Sequence, residues 1–235
     1  MIDSDALAER LADVRARIAR AAGRAGRDPA AVRLVAVSKT FSADAVRAAA
    51  GAGQVDFGEN KVQEALQKMD ATTDLAIRWH LVGHLQSNKA RKAGARFDVV
   101  QSVDSASLLV KLDEAAGAAG RRVDALVQVD LAREPTKHGA QEAELDAVFV
   151  AAVAAKHVRV TGLMLIPPAV DNPDDARPYF RALKQLRARL VDRGTPEDLL
   201  SELSMGMSHD FEVAVEEGAT IVRVGTAIFG SRQYV

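Results

Sequence analysis

The feature that most constrains the fold is a regular alternation of short apolar runs with longer Ala-rich amphipathic runs. Short runs rich in Val, Ile and Leu are typical of buried strands, and apolar residues at helical spacing are typical of amphipathic helices. The short runs predict strands over Leu34–Ser38, Val55–Gly58, Trp79–Gly83, Val99–Val103, Ala125–Asp130, Val160–Ile166, Leu200–Met205 and Ile221–Phe229. The longer runs predict helices over Ala43–Ala52, Asn60–Met69, Gln86–Ala95, Ser105–Ala119, Glu142–Ala155, Asp174–Val191 and Ser208–Glu217.

This order of elements predicts an α/β fold with a parallel sheet. Right-handed crossovers between parallel strands produce either an open doubly wound sheet or a closed barrel. A chain of 235 residues with eight such units fits a (β/α)8 TIM barrel, which typically takes about 250 residues. No linker composition interrupts the chain, so we expect residues 1–235 to form a single domain.

An extra helix is predicted before the first strand, over Ser4–Ala22. Ser4 can cap its start, and Gly23 and Gly26 can end it. Because no long helix follows the last strand, we expect this N-terminal helix to supply the eighth outer helix of the barrel.

Composition excludes several classes of protein. With 31 Lys and Arg against 32 Asp and Glu, bulk attraction to nucleic-acid phosphates is not expected. The absence of cysteine excludes disulfide and thiolate chemistry. The longest apolar run, Ala147–Ala155, is far shorter than the ~20 residues of a membrane-spanning helix. With no signal peptide at the N-terminus, we expect a cytoplasmic protein without a membrane partner.

Polar residues follow several predicted strands, and in a barrel the active site lies at the carboxyl ends of the strands. Lys39 ends the first strand, and Glu59 and Asn60 end the second. An amine beside an apolar barrel is favoured in its neutral form, which is a nucleophile that forms Schiff bases with carbonyl compounds. The alternative for Lys39 is an ordinary surface lysine.

The segments after the last two predicted strands are candidates for a phosphate site, because barrels often place one there. Ser208 offers a hydroxyl at a predicted helix start, where backbone N–H groups bind anions, although a plain helix cap is the alternative. Gly225 permits a close backbone approach, and Thr226 adds a hydroxyl. Side chains two residues apart on a strand project to the same face, so the Arg223 side chain is expected on the same face as Gly225. Arg223 then either contacts the ligand or forms an ion pair with a carboxylate such as Glu202.

Three weaker patterns are rejected as sites. His80 and His84 have the helical spacing of zinc ligands but lie on a strand and its following glycine, so they do not converge. The adjacent residues Ser208, His209 and Asp210 cannot adopt the geometry of a catalytic triad. The basic stretch 88–96 has no stacking aromatics, which favours a solvated helix face over an RNA site.

The segments LVAVSKT, FGENKVQE, WHLVGHLQSNK, SVDS, KHG and LSMGMSHDFEVAVEEGATIVRVGTAIFG resemble, in order, the pyridoxal phosphate homeostasis protein family. This family consists of single-domain relatives of the alanine racemase barrel. The resemblance implies that the barrel holds pyridoxal 5′-phosphate (PLP), with Lys39 as its Schiff-base lysine. It places the phosphate on Ser208, Gly225 and Thr226, Arg223 opposite the pyridine nitrogen, and Asn60 near the ring or the lysine.

This sequence departs from the family pattern at two places. Phe41 and Ser42 follow Lys-Thr where many relatives have proline, so the first loop is expected to differ. His209 stands where an acidic residue is common.

The resemblance implies a monomeric PLP-binding protein of PLP and amino-acid homeostasis, without catalytic turnover, whose possible recipients are apo forms of PLP-dependent enzymes. An arginine beside the pyridine nitrogen makes PLP a weaker electron sink than a carboxylate does. Of the two tyrosines, Tyr179 is expected on an outer helix and Tyr234 lies at the terminus, so no second proton donor is identified. The alternatives are a PLP-dependent amino-acid racemase of low activity and a Schiff-base aldolase acting on a sugar phosphate.

Overall fold

The structure is a computed structural model and describes residues 3–132 and 138–230. Its strands are β1 (Arg33–Val37), β2 (Asp56–Glu59), β3 (Arg78–Leu81), β4 (Val99–Val103), β5 (Val123–Val129), β6 (Val158–Leu165), β7 (Glu202–Ser204) and β8 (Ile221–Val224). Its helices are α1 (Ser4–Arg24), α2 (Ala43–Gly51), α3 (Val62–Ala71), α4 (Ala90–Arg96), α5 (Ala106–Ala118), α6 (Leu145–Ala154), α7 (Arg177–Asp192), α8 (Phe211–Glu216) and α9 (Thr226–Phe229). Short 3-10 turns cover Pro29–Ala31, Ser87–Lys89, Glu142–Glu144, Pro173–Ala176 and Glu197–Leu200.

The eight strands form a closed parallel barrel in chain order, and β8 pairs with β1. This confirms the predicted (β/α)8 TIM barrel. The strands read as near-continuous apolar runs because helices cover their outer faces while the barrel interior covers their inner faces. That residues 1–235 make one domain stays a prediction.

Side-chain alternation along β8 shows how the barrel separates its two cores. Ile221 packs inside the barrel, whereas Val222 and Val224 pack outward against the helices. Arg223 lies between these two valines and therefore projects inward, where it is only 4% exposed. The inner apolar cluster consists of Val35, Val99, Leu126, Met164 and Ile221.

Helix α1 fills the eighth position of the outer helical layer, as expected from the sequence. It contacts α2, α8 and α9 and buries one apolar stripe, which consists of Leu7, Leu11, Val14 and Ile18. The Nε of Arg10 donates a hydrogen bond to the carbonyl of Ile228 at 2.7 Å, which ties α1 to the segment after β8. The prediction of Ser4 as the cap was wrong, since Asp3 accepts the hydrogen bond from the Ala6 amide at 2.9 Å.

The predicted last strand, Ile221–Phe229, was too long. The strand ends at Val224, and the amides of Ile228 and Phe229 both donate to the carbonyl of Gly225 at 2.9 Å, which makes a helical turn. The apolar residues of this segment are equally compatible with a buried strand and with a buried helical turn. The turn places Thr226 at the mouth of the barrel. Among the described residues, no helix combines the length and apolarity that spanning a membrane requires.

Candidate functional site

A cavity of about 490 Å³ opens at the carboxyl ends of the strands. All six predicted site residues line it, namely Lys39, Asn60, Ser208, Arg223, Gly225 and Thr226. No carboxylate side chain is found among its described lining residues. Lys39 and Arg223 therefore give the cavity a positive character, which suits a small anionic ligand.

Lys39 lies two residues after the end of β1, in a loop whose backbone is held on both sides of it. Ser38, before it, donates its hydroxyl to Glu59 at 2.6 Å and accepts a hydrogen bond from the Lys68 ammonium on its carbonyl at 2.7 Å. Thr40, after it, donates its amide to Glu64 at 2.5 Å. The lysine that the sequence singled out thus stands on an anchored segment of chain.

The anchoring group is a buried cluster of one cation and two anions. The Lys68 ammonium lies 2.6 Å from Glu59 and 2.8 Å from Glu64. Burial raises the pKa of Glu59, and the hydrogen bond and charge of Lys68 act in the opposite direction. Burial also acts to raise the pKa of Glu64, but hydrogen bonds from Lys68 and from the Thr40 amide lower it overall. We expect the cluster to be stable only with all three members present, because an unpaired buried charge is costly.

The loops after β7 and β8 meet at the opposite side of the cavity mouth. The hydroxyl of Ser208 accepts hydrogen bonds from the amides of Gly225 at 3.1 Å and Ala227 at 3.4 Å. The amides of Ser208 and Thr226 donate to no residue within the described chain. These two N–H groups and the hydroxyl of Thr226 form a small set of donors, and such donors bind phosphate oxygens.

Ser208 is not the helix cap that the alternative interpretation required. Helix α8 begins three residues later, at Phe211, with Asp210 as its N-cap residue and without a side-chain capping bond. The Asp210 carboxylate instead accepts from the Met207 amide at 2.6 Å, which holds the turn before the helix. The tight turn before Ser208 depends on Gly206, which has φ +95° and where a Cβ atom would lie 2.5 Å from Ala214 Cβ. Gly225 lies close to β1 instead, since a Cβ atom there would make a tight contact of 3.1 Å with the Val37 carbonyl oxygen.

Arg223 begins a chain of hydrogen bonds through the barrel interior. Its guanidinium donates to the Ser204 hydroxyl at 2.6 Å and to the Leu165 carbonyl at 2.8 Å. The Ser204 hydroxyl donates to the side-chain amide oxygen of Gln101 at 2.7 Å. Gln101 lies 3.0 Å from His80 Nδ1. His80 Nε2 lies 2.7 Å from Asp56 at the other end of the barrel.

One tautomer of His80 satisfies every hydrogen-bonding group in this series of contacts. If His80 is neutral with its proton on Nε2, Gln101 donates to Nδ1 and Nε2–H donates to Asp56. Burial lowers the pKa of His80 despite the neighbouring Asp56 carboxylate, which favours this neutral form. The predicted alternative partner of Arg223 was wrong, because Glu202 pairs with Arg33 at 3.5 Å. Burial lowers the pKa of Arg223 to about 10, so it remains charged at neutral pH.

His80 and His84 lie in different environments in the structure, as predicted from their positions on a strand and after it. His80 uses both ring nitrogens in the interior chain, whereas His84 lies at the cavity mouth and stacks on His138 with ring centroids 3.6 Å apart and an interplanar angle of 8°. Asp104 lies 3.5 Å from His84, and the ligand atoms of these three side chains lie within 4.8 Å of one another. Stacked rings hold their nitrogen lone pairs in parallel planes, so the lone pairs do not converge on one point in this arrangement.

Sequence reasoning did not assign four polar lining residues to the cavity, namely Gln128, His84, His138 and His209. Gln128 lies in β5 and His84 lies three residues after β3, so position at a strand end was an available signal for these two. His138 lies nine residues after β5 and had no such signal. Lys137 of the KHG segment and Tyr234 lie outside the described residues. Tyr179 is on α7 as expected.

Phe41 and Ser42, where the sequence departs from the family pattern, both have defined positions in the first loop of the structure. The ring of Phe41 packs on Phe229 with centroids 5.2 Å apart, and Ser42 precedes α2 as its N-cap residue, without a side-chain capping bond. Phe41 therefore links the Lys39 loop to the turn that follows β8.

Comparison with known proteins agrees with this geometry. The family model described as "Alanine racemase, N-terminal domain" matches residues 2–233. The pyridoxal phosphate homeostasis protein of Aquifex aeolicus is 42% identical over 226 residues, covering 96% of this chain and 98% of that protein. The solved structure of PipY from Synechococcus elongatus with PLP bound has a TM-score of 0.84 and 43% identity, covering 95% of this chain and 100% of that chain.

A more distant structure shares the fold alone. Alanine racemase from Corynebacterium glutamicum has a TM-score of 0.71 at 21% identity, covering 99% of this chain and 63% of that chain. The family resemblance inferred from the motifs is thereby confirmed, and this chain belongs to the pyridoxal phosphate homeostasis protein family.

Proposed function

We propose that this protein binds PLP at the cavity and acts in PLP and amino-acid homeostasis, with Lys39 as the covalent attachment point. The observation that carries the proposal is the convergence of the Lys39 segment, the Arg223 guanidinium and the amides of Ser208 and Thr226 on one cavity, whose described lining residues include no carboxylate. PLP supplies an aldehyde that condenses with a primary amine. The PLP-bound structure of PipY, a relative of nearly the same length, supports this ligand.

Each residue of the cavity has a separate task in this proposal. The donors around Ser208, Gly225 and Thr226 hold the phosphate, and Asn60 offers a polar contact beside the lysine. Arg223 uses its guanidinium to hold Ser204 and Leu165, and its remaining N–H groups would be the donors to the pyridine nitrogen of bound PLP. A guanidinium cannot accept a proton from the ring, so it favours the unprotonated nitrogen and a weak electron sink.

We further propose that the protein holds PLP without turnover, as a cytoplasmic monomer that delivers PLP to apo-enzymes. Racemisation needs acid–base groups on both faces of the substrate, and Tyr179 is not among the described residues that line the cavity. The racemase alternative is tested by chiral analysis of alanine and serine incubated with catalytic amounts of protein. We expect no inversion beyond one equivalent, and inversion over many turnovers would overturn the non-catalytic proposal.

The binding proposal is tested by titrating the purified, PLP-free protein with PLP and recording absorbance. A yellow species that is bleached by borohydride is expected for the wild type. A protein that stays colourless with PLP and is labelled by borohydride only in the presence of a sugar phosphate would support the aldolase alternative instead. Transfer to an apo-enzyme is measured against the same concentration of free PLP, and a rate no faster than that of free PLP would contradict delivery.

A further inference from the structure

We infer that Glu64 and Lys68 of α3 are positioning residues for Lys39. They hold the backbone on the two sides of this lysine so that its amine faces the cavity. Neither side chain is among the described residues that line the cavity, so both act through Lys39 and not on the ligand. The inference rests on the proposed function, because it concerns how the attachment lysine is presented.

The first support is the placement of the contacts. Lys68 donates to the carbonyl of Ser38 at 2.7 Å, and Glu64 accepts from the amide of Thr40 at 2.5 Å. These are the residues immediately before and after Lys39. Two charge-assisted hydrogen bonds therefore fix the peptide groups that flank the lysine, and such bonds are stronger than neutral ones.

The second support is backbone strain at Thr40. It has φ +70° and is the only non-glycine residue with positive φ in the described part of the chain. A β-branched residue in this region is an outlier that persists only when its surroundings hold it. The hydrogen bond from its amide to Glu64 is a restraint of this kind.

The third support is the lack of solid packing behind the loop. An open cavity of about 380 Å³ lies there, lined by Thr40, Phe41, Glu64 and Lys68 among others. This side of the loop is open, so the hydrogen bonds from Glu64 and Lys68 are its restraint from α3, in addition to the packing of Phe41 on Phe229. Glu64 and Lys68 are four residues apart on one helix and pair at 2.8 Å, so α3 presents them as one rigid unit.

The experiment compares three variants of α3. Glu64→Ala removes the acceptor of the Thr40 amide, and Glu64→Gln keeps an acceptor oxygen while it removes the charge. Asp70→Ala is the matched control, because Asp70 is on the same helix and pairs with Arg96 at 2.6 Å, away from the loop. Each variant is measured for its PLP dissociation constant, its melting temperature, and hydrogen exchange of peptide 38–42 without PLP.

We expect Glu64→Ala to weaken PLP binding about tenfold or more, as loss of a hydrogen bond to a charged group predicts, and to accelerate exchange of the Thr40 amide. Glu64→Gln should recover most of the affinity, and Asp70→Ala should match the wild type.

Wild-type affinity and exchange in Glu64→Ala would overturn the positioning role. If Glu64→Ala does not fold, exchange in the wild type decides: an unprotected Thr40 amide overturns the inference and a protected one supports it. Failure of the wild type to attach PLP would instead overturn the proposed function, and this inference with it.

Discussion

The hydroxyl of Ser208 accepts a hydrogen bond from the amide of Gly225 at 3.1 Å. Together with the hydrogen bond from the Ala227 amide to the same hydroxyl at 3.4 Å, this contact joins the loop after β7 to the loop after β8. It leaves the Thr226 amide and hydroxyl at the cavity mouth, beside the Ser208 amide, which donates to no residue in the described part of the chain. The two loops therefore act as one anion-binding unit, although 17 residues separate them in the chain.

Thr226→Val tests the phosphate-binding role of this unit. We expect PLP affinity to fall roughly ten- to hundredfold, because a hydrogen bond to a charged group is worth about 1.5–3 kcal/mol. Affinity for pyridoxal, which lacks the phosphate, should not change. The measurement is an absorbance titration with each compound, and an equal loss for both would place Thr226 away from the phosphate.

Lys68→Met tests the buried charge cluster. The variant leaves Glu59, whose side chain is 0% exposed, without its cation. Removal of one partner of a buried ion pair costs about 3–5 kcal/mol, and we expect a loss of this size in the free energy of unfolding measured with urea. The exposed pair of Arg47 and Asp74 provides the control, since solvent screens an exposed ion pair and Arg47→Met should cost far less than Lys68→Met. Equal effects would show that the cluster is not a stabilising unit.

His80 predicts a pH dependence of stability. Its pKa in the folded state is lowered from 6.5 by burial, so below pH 6.5 the unfolded chain binds the proton more readily. Its contribution to stability is therefore present above pH 6.5 and is lost as pH falls toward the folded pKa. We expect His80→Gln to be less stable at pH 7 but to lose less stability than the wild type between pH 7 and pH 5. Parallel urea unfolding curves for the two proteins across this range would contradict a buried neutral histidine.

Gly206→Ala tests the turn before Ser208. The added methyl group would lie 2.5 Å from Ala214 Cβ on a backbone with φ +95°, so we expect a loss of about 2 kcal/mol or more and weaker PLP binding. Gly23→Ala is the control, because a Cβ atom at that position of α1 meets nothing within 4 Å. It should stabilise the helix by about 0.5 kcal/mol. Thermal melting of both variants is the measurement, and a Gly206→Ala protein as stable as the wild type would refute the requirement for glycine.

The barrel could be predicted from the sequence because its signal is local and repeated. Each strand is a short apolar run, and each helix is a longer amphipathic one, so eight repeats leave few topologies. Boundaries were less predictable where apolar residues continue past the end of an element. The run Val224–Phe229 leaves its strand only because Gly225 turns the chain into a helical turn.

The candidate site was predictable where one residue carries its own chemistry at a strand end. Lys39, Arg223 and Thr226 are of this kind, and the family resemblance added Asn60. The supporting contacts were not predictable, because they join residues far apart in the chain. Lys68 looks like an ordinary surface charge in the sequence, and only the fold brings it 2.6 Å from Glu59. The pairing of Arg223 with Ser204, and not with Glu202, likewise depends on which strand faces are inward.

The most direct test of the account is the site of covalent attachment. PLP-treated protein is reduced with borohydride, digested and mapped by mass spectrometry, with Lys39→Ala as the variant and the exposed Lys111→Ala as a surface control. We predict one pyridoxyl group per chain on Lys39, full labelling of the control, and no specific label in Lys39→Ala. Equal labelling of Lys39→Ala, or a wild-type label on another lysine, would contradict the central claim that Lys39 holds PLP at the barrel mouth.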